Sequence, residues 1–174
     1  MSRRQPDLTL DGLRLPLAVG GQIEQTYEDF GAITLLRLGA GAAVHQEVWR
    51  KTRTSISISG ALPVGLDAID WKTSHALGCV APRSIQSAGN VITIPAARRS
   101  DAAPYGWAIT AAGLLTPTAV TLAGNVATLS PVAGAAAYQV AWYPQLNVRA
   151  PTGPTVSYDA LGAVVGWELT AEEA

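Results

Sequence analysis

The sequence predicts an all-β protein, a β-sandwich or partly open barrel with an immunoglobulin-like β subdomain, and three observations carry that prediction. Short segments alternate apolar and polar residues with period two, as in Thr54-Ser55-Ile56-Ser57-Ile58-Ser59, Val91-Ile92-Thr93-Ile94 and Ala137-Tyr138-Gln139-Val140-Ala141-Trp142. Each such segment buries one face and wets the other. Gly, Pro, Ser and Asn punctuate these segments throughout, which is turn chemistry. Finally, 48% of the residues are hydrophobic and only 14% are charged. A surface so lightly charged points to cover by other subunits.

Read in order, Leu8 to Leu17 forms a strand pair broken at Asp11-Gly12, because Asp-Gly between apolar residues is a hairpin signal. Pro16 marks an edge or bend. Gln22 to Tyr27 and Ile33 to Leu38 read as separate strands, Gly39-Ala40-Gly41 as a turn, and Val44 to Trp49 as the return strand of a β-meander. Thr54 to Ser59 follows as the cleanest strand, ending at Gly60. Leu62-Pro63-Val64-Gly65-Leu66 reads as a loop, since neither Pro nor Gly serves a central strand. Asp67 to Trp71 fits a helical turn or an extended connection, and Leu77 to Val80 a further strand.

The second half contains an echo: Ala88-Gly89-Asn90-Val91-Ile92-Thr93-Ile94-Pro95 returns as Ala123-Gly124-Asn125-Val126-Ala127-Thr128-Leu129-Ser130-Pro131. Duplication of a hairpin unit is one reading, and convergence on common turn chemistry is the other. Val120 to Leu122, Val126 to Leu129 and Tyr138 to Tyr143 have the spacing of a few immunoglobulin-like strands. Val164 to Leu169 reads as the last strand, and Thr170 to Ala174 as a polar tail. The expected organisation is one β-sandwich domain from residues 1–85 and 146–174, with 86–145 an inserted or appended immunoglobulin-like subdomain. At 174 residues a fold of this size buries about 70% of the surface its unfolded chain exposes.

Charge and cysteine usage narrow the function. Twelve basic against thirteen acidic residues give a net charge of −1, so nucleic acid is not an expected partner. Arg98-Arg99 and Arg50-Lys51-Thr52-Arg53 read as solvated loops. No apolar run is long enough for a membrane-crossing helix, and Met1 to Pro6 leads into no signal-type core; the expectation is a cytoplasmic product without membrane insertion. The single Cys79 excludes an intrachain disulfide and reads as a buried small hydrophobe. His45 and His75 lack a second ligand at metal-site spacing, and His45 reads as sharing a strand face with Glu47. Asp67 and Asp70 fit turn and capping roles better than a glycosidase pair. No nucleophile elbow or phosphate loop is present. The expectation is no catalytic residue, metal or cofactor. The aromatic residues remain: Trp49, Trp71, Trp107, Trp142 and Trp167 fit core layers, while Trp107, Tyr143 and Tyr158 are the candidates for an outward ligand or interface surface. In Trp142-Tyr143-Pro144, strand alternation turns Tyr143 outward as Trp142 packs inward.

Three stretches together resemble proteins of the tail gene clusters of long-tailed bacteriophages and prophages. They are Gly21 to Tyr27 with Thr34 to Leu38; Trp49-Arg50-Lys51 through Ile56 to Gly60 into Pro63 to Leu66; and Trp167 to Glu173. The resemblance spans most of the chain and implies a virion structural component of the tail tip or baseplate, distal-tail-like or a minor tail protein. Residues 1–85 and 146–174 would be its tail-assembly domain, and the protein, made in the bacterial cytoplasm, would reside in the virion tail. Expected partners are other copies of the chain and neighbouring tail proteins, meeting through Leu62, Pro63 and Leu66 and the loop from Arg149 to Pro154. The alternative is a receptor- or carbohydrate-binding module at the tail tip, with a host-surface glycan as partner. A cell-wall hydrolase would need an acid pair that the sequence does not place.

Overall fold

Asp11 and Gly12 adopt left-handed backbone angles, φ 48° and 82°, and so turn the chain tightly between strands β1 (Leu8–Leu10) and β2 (Leu13–Leu15). Positive φ at both central residues matches the right-handed twist of the strands they join. A computed structural model describes residues 5–15, 22–60 and 65–174. The expected loop positions Leu62, Pro63 and Val64 lie outside the described residues, as does Pro16.

The next two strands are far longer than their sequence predicts. β3 runs from Ile23 to Arg37 and β4 from Ala43 to Ser59. Gln22–Tyr27 and Ile33–Leu38 are therefore one strand, as are Val44–Trp49 and Thr54–Ser59. The residues between them, Glu28 to Ala32 and Arg50 to Arg53, lack regular alternation, yet they continue the ladder because each strand supplies the other's hydrogen bonds. After a 3-10 turn at Leu66–Ala68 come β5 (His75–Gly78), β6 (Arg83–Ser87), β7 (Val91–Thr93) and β8 (Tyr105–Thr110). The chain continues through β9 (Leu115–Thr118), β10 (Val120–Ala123), β11 (Val126–Leu129) and β12 (Ala135–Trp142). It ends with β13 (Gln145–Arg149), β14 (Thr155–Tyr158) and β15 (Val164–Glu173). The protein is thus all-β, with antiparallel sheets packed as in a β-sandwich.

Two compact units divide the chain. The first contains residues 1–9 and 77–146, and the second 10–76 and 147–174. The sequence expectation put the early boundary after residue 85; β6 moves it, because Arg83–Ser87 pairs along β12 inside the first unit.

The first unit has two sheets, β10-β11-β7 and β6-β12-β8-β9. Ile92, Ile94, Ala127 and Leu129 from the one meet Ala108, Tyr138, Val140 and Trp142 from the other in a common buried cluster, as the inner faces of a sandwich do. The echoed strands are hydrogen-bonded to one another: Val126 pairs with Thr93 and Thr128 with Val91. Asn90 fastens that pairing, its side-chain amide donating to the Leu129 carbonyl at 2.9 Å and its own carbonyl accepting from Leu129 N at 2.8 Å.

Arg98 and Arg99 are structural, which corrects their reading as solvated. Arg99 is 3% exposed. Its Nη1 donates to the carbonyls of Asp7 (2.6 Å), Gly78 (3.0 Å) and Cys79 (3.1 Å), while Nε and Nη2 grip the Asp101 carboxylate at 2.9 and 2.7 Å. Arg98 donates to the Gly124 carbonyl at 2.8 Å. The sequence signal fails here because a guanidinium with enough acceptors is tolerated where a bare charge is not.

In the second unit β4 lies between β3 and β15. Register places Trp167 beside Ile58, Leu169 beside Ile56 and Ala171 beside Thr54, and all six are buried. The opposite face of the same strands is polar: Ser55 meets Thr170 at 3.1 Å and Arg53 pairs with Glu172 at 2.8 Å. Buried Thr54 is satisfied by donating to the Thr26 carbonyl at 2.8 Å and accepting from the Gln25 amide at 3.0 Å. β15 accompanies β4 only as far as Arg53. Beyond it β3 and β4 continue as a two-stranded ribbon to the Leu38–Ala42 turn.

One irregularity interrupts the ribbon. Gly31 pairs with Arg50 but Ile33 pairs with Glu47, so Val48 and Trp49 together oppose Ala32 in a β-bulge. Gly31 is required there, because a Cβ would collide with the Trp49 carbonyl.

Two substitutions test these points. Arg99→Met removes the shared donor of three carbonyls, two of these bonds being buried, at about 1–3 kcal/mol for each group left unmet; chemical denaturation should show a loss of about 2 kcal/mol or more, and a loss below about 1 kcal/mol would contradict the bonding described. Gly31→Val should raise amide hydrogen exchange from Phe30 to Trp49 while leaving β15 protected; unchanged exchange would contradict the bulge geometry.

Candidate functional site

Strand alternation builds the first candidate site. On β8, Gly106 and Ala108 point into the sandwich, and Gly106 is forced to be small because a Cβ would lie 2.8 Å from the Gln139 carbonyl oxygen. Tyr105 and Trp107 therefore point the other way and meet edge to face with ring centroids 4.9 Å apart. Tyr143 stands 6.1 Å from Tyr105. These three rings, with Gln5, Pro82, Pro117 and Thr118, line a groove of about 460 Å³ wholly within the first unit. Trp107 and Tyr143, both named from sequence, are thus brought together through Tyr105, which was not. Tyr143 is only 6% exposed, so it forms the floor of the groove and not the outward surface expected of it. Trp142 packs inward as expected, at 4%.

The other named residues fall in the second unit. Tyr158, on β14, is exposed beside the Asp159 turn, whose carboxylate caps Leu161 N and Ala163 N. Leu66 is fully buried and so offers no side chain to a partner. Trp71 lies with Asp70, Lys72, Arg149 and Glu172 around a cavity of about 650 Å³, and Gly153 is the residue that leaves room for its indole. His75 packs edge-on to Trp71 with centroids 5.6 Å apart. Its Nδ1 lies 2.5 Å from an Asp11 carboxylate oxygen and its Nε2 3.0 Å from the Asp70 carbonyl. Asp11 also accepts from Ala76 N at 2.7 Å. The His75 hydrogen bond, with that backbone bond and the attraction of the ring, outweighs burial and holds the Asp11 carboxyl below the ordinary aspartate value. The arrangement ties a hairpin turn to β5. Asp70 is likewise a turn residue, its carboxylate accepting from Lys72 N at 3.1 Å.

The most extensive apolar exposure is on the ribbon. Among the described residues, seven of the fifteen exposed large hydrophobics belong to it: Ile33, Leu35, Leu36, Leu38, Val44, Val48 and Trp49. Cross-strand partners share a face, so register assigns the two sides. Phe30, Ala32, Thr34, Leu36, Val44 and Gln46 share one side, and the bulge adds Trp49, whose ring stands edge-on to Phe30 at 5.5 Å. Lys51, the register partner of Phe30, is the last charge on that side, and none follows it toward the tip. The other side carries Asp29, Arg37, His45, Glu47 and Arg50 along with Ile33 and Leu35. Arg50 bridges Glu47 at 2.6 Å and Asp29 at 3.3 Å, so Glu47 has Arg50 as its partner and not His45. The sequence reading missed this surface. Its signal was present in Leu35-Leu36 and Val48-Trp49, adjacent apolar pairs that no one-faced strand can bury together.

Compared with known proteins, the chain matches no family model and no curated sequence. Among the described residues no group of three or more His, Cys, Asp or Glu side chains is placed to hold a metal ion.

The Asp11 tie has a pH signature. A carboxyl whose pKa falls on folding stabilises fully above its unfolded value and loses that stabilisation as pH drops through its folded one. The melting-temperature gap between wild type and Asp11→Asn should be widest near neutrality and close progressively below about pH 4; a gap constant down to pH 2 would contradict the tie.

Proposed function

We propose that the protein is a virion structural subunit of a bacteriophage tail, part of the tail tip or baseplate, and that it acts by assembling with other subunits. The observation that carries this reading is the exposed apolar side of the ribbon's outer half, which has no charge beyond Lys51. Two-stranded ribbons are marginal in water on their own, and apolar residues such as Val48, at 76% exposure, are stabilised only when another surface covers them. Assembly supplies that cover and explains why no polar residue replaces them.

The tail assignment draws further support from where the resemblance lies. Most of its residues fall on β3, β4 and β15, three hydrogen-bonded neighbours, so the resembling segments compose one contiguous part of a sheet. The immunoglobulin-like reading of the middle of the chain draws support from β6–β12, seven short strands in two sheets.

A receptor-binding role at the tail tip is the second reading, favoured by the Tyr105–Trp107–Tyr143 groove. Aromatic rings flanked by Gln5 and Thr118 offer a stacking face together with polar edges, the combination by which sugars are held.

Mass spectrometry of purified particles should find the chain in virions, and Val48→Glu should exclude it from them while shifting stability by no more than about 0.5 kcal/mol. Particles lacking the wild-type chain would refute the structural reading. Retention on a glycan array that Trp107→Ala abolishes would establish the second reading in its place.

A further inference from the structure

The ribbon has two open edges, and they differ. Among the described residues no strand pairs with the outer edge of β3, which ends the sheet. β4 is flanked by β15 up to Arg53, and Thr52 N donates to the Glu173 carboxylate at 3.0 Å, so among the described residues the outer edge of β4 has no strand beside it from Ala43 to Lys51. Natural edge strands are guarded by charge, Pro or bulges facing the solvent. β3 from Phe30 to Leu36, Phe-Gly-Ala-Ile-Thr-Leu-Leu, has neither Pro nor charge, and the bulge belongs to β4. At about 3.3 Å per residue the unguarded stretch is about 20 Å long.

Charge distinguishes the edges at their base. β3 brings Glu24, Glu28 and Asp29, all acidic, and β4 brings Arg50, Lys51 and Arg53, all basic. Within one chain the two strands already attract: Arg50 reaches Asp29 at 3.3 Å and Arg53 reaches Glu28 at 3.4 Å. Set antiparallel against the open part of β4 in another copy, Asp29 and Glu28 come to Arg50 and Lys51, whereas Arg53 is excluded because β15 flanks it and Glu172 holds it at 2.8 Å.

We propose that the ribbon joins copies of this chain edge to edge, β3 of one copy hydrogen-bonding to the outer half of β4 in the next. This rests on the assembly reading above and names its first partner. A two-fold junction of β3 with β3 satisfies one edge and leaves β4 open, whereas β3 with β4 satisfies both. It is a head-to-tail contact, and repeated about an axis it closes a ring. Each junction extends the uncharged side of the ribbon into a wider apolar sheet and keeps the charged side on the opposite surface.

Guarding one edge at a time tests the proposal. One variant carries Thr34→Lys and Leu36→Lys on β3; another carries Val44→Lys and Gln46→Lys on β4. All four substitutions lie on the solvent-facing ribbon, and melting temperatures close to wild type confirm that each variant folds. Light scattering should give wild type a mass several times that of one chain and each guarded variant the mass of a single chain. An equimolar mixture of the two should double in mass, because each retains the edge the other lacks. A β4-guarded chain that dimerises alone would overturn the proposal in favour of a two-fold β3 junction. Guarded chains that keep the wild-type mass would overturn it too, and place the contact elsewhere. A monomeric wild type that still co-purifies with tail proteins overturns the edge junction alone; a monomeric wild type without such partners removes the assembly reading as well.

Discussion

The Arg99 guanidinium is almost wholly out of water and donates five hydrogen bonds, three to backbone carbonyls and two to the Asp101 carboxylate. A buried cation is costly unless every donor is met, so its acceptors are constrained together. Asp7 belongs to the amino-terminal segment, Gly78 and Cys79 to the end of β5, and Asp101 to the connection ahead of β8. Satisfying one side chain therefore fixes where three separate passages of the first unit run. The entry of β8 is set by the same requirement, and with it the alternation that sends Ala108 inward and Tyr105 and Trp107 out. The groove is in this sense a consequence of a cation that never touches it.

Legibility in the sequence followed the physics of each element. Asp11-Gly12, Thr54 to Ser59 and Val126 to Leu129 were readable because their information is local: a turn needing positive φ, a strand wet on one face. β3 and β4 were only half readable. Their basal parts alternate cleanly, but the distal parts are exposed on both sides, and a strand with no buried face has no reason to alternate. Arg99 and Leu66 were misread for a related reason, since burial is decided by distant acceptors and neighbours that composition does not record. The aromatic groove lay between: Trp107 and Tyr143 were nameable from residue type, whereas Tyr105 joined them only through β8 and its pairing with β12.

Along the ribbon the two sides exchange character. Near β15 the side bearing Ile56 and Ile58 is core and the side bearing Ser55 and Ser57 is polar; beyond Lys51 the polar side becomes uncharged and largely apolar, while the core side acquires Arg50, Glu47, His45 and Arg37. One pair of strands thus spans two environments, the interior of its own unit at the base and open surface toward the tip. The base is stabilised within the chain, whereas in the proposed assembly the outer half draws its stability from a neighbour.

The bulge at Val48-Trp49 makes that division of labour separable in heredity as well as in space. Side chains alternate strictly along a strand, so gaining or losing one residue at the bulge would turn every later β4 side chain toward the tip to the opposite side, and leave Thr52 to Ile58 where they are. Codon-sized insertions between Thr52 and Ile58 would scramble the packed end. At the bulge the same change alters which side chains the outer ribbon exposes without disturbing the packed end, so the surface and the interior of one strand are free to vary apart.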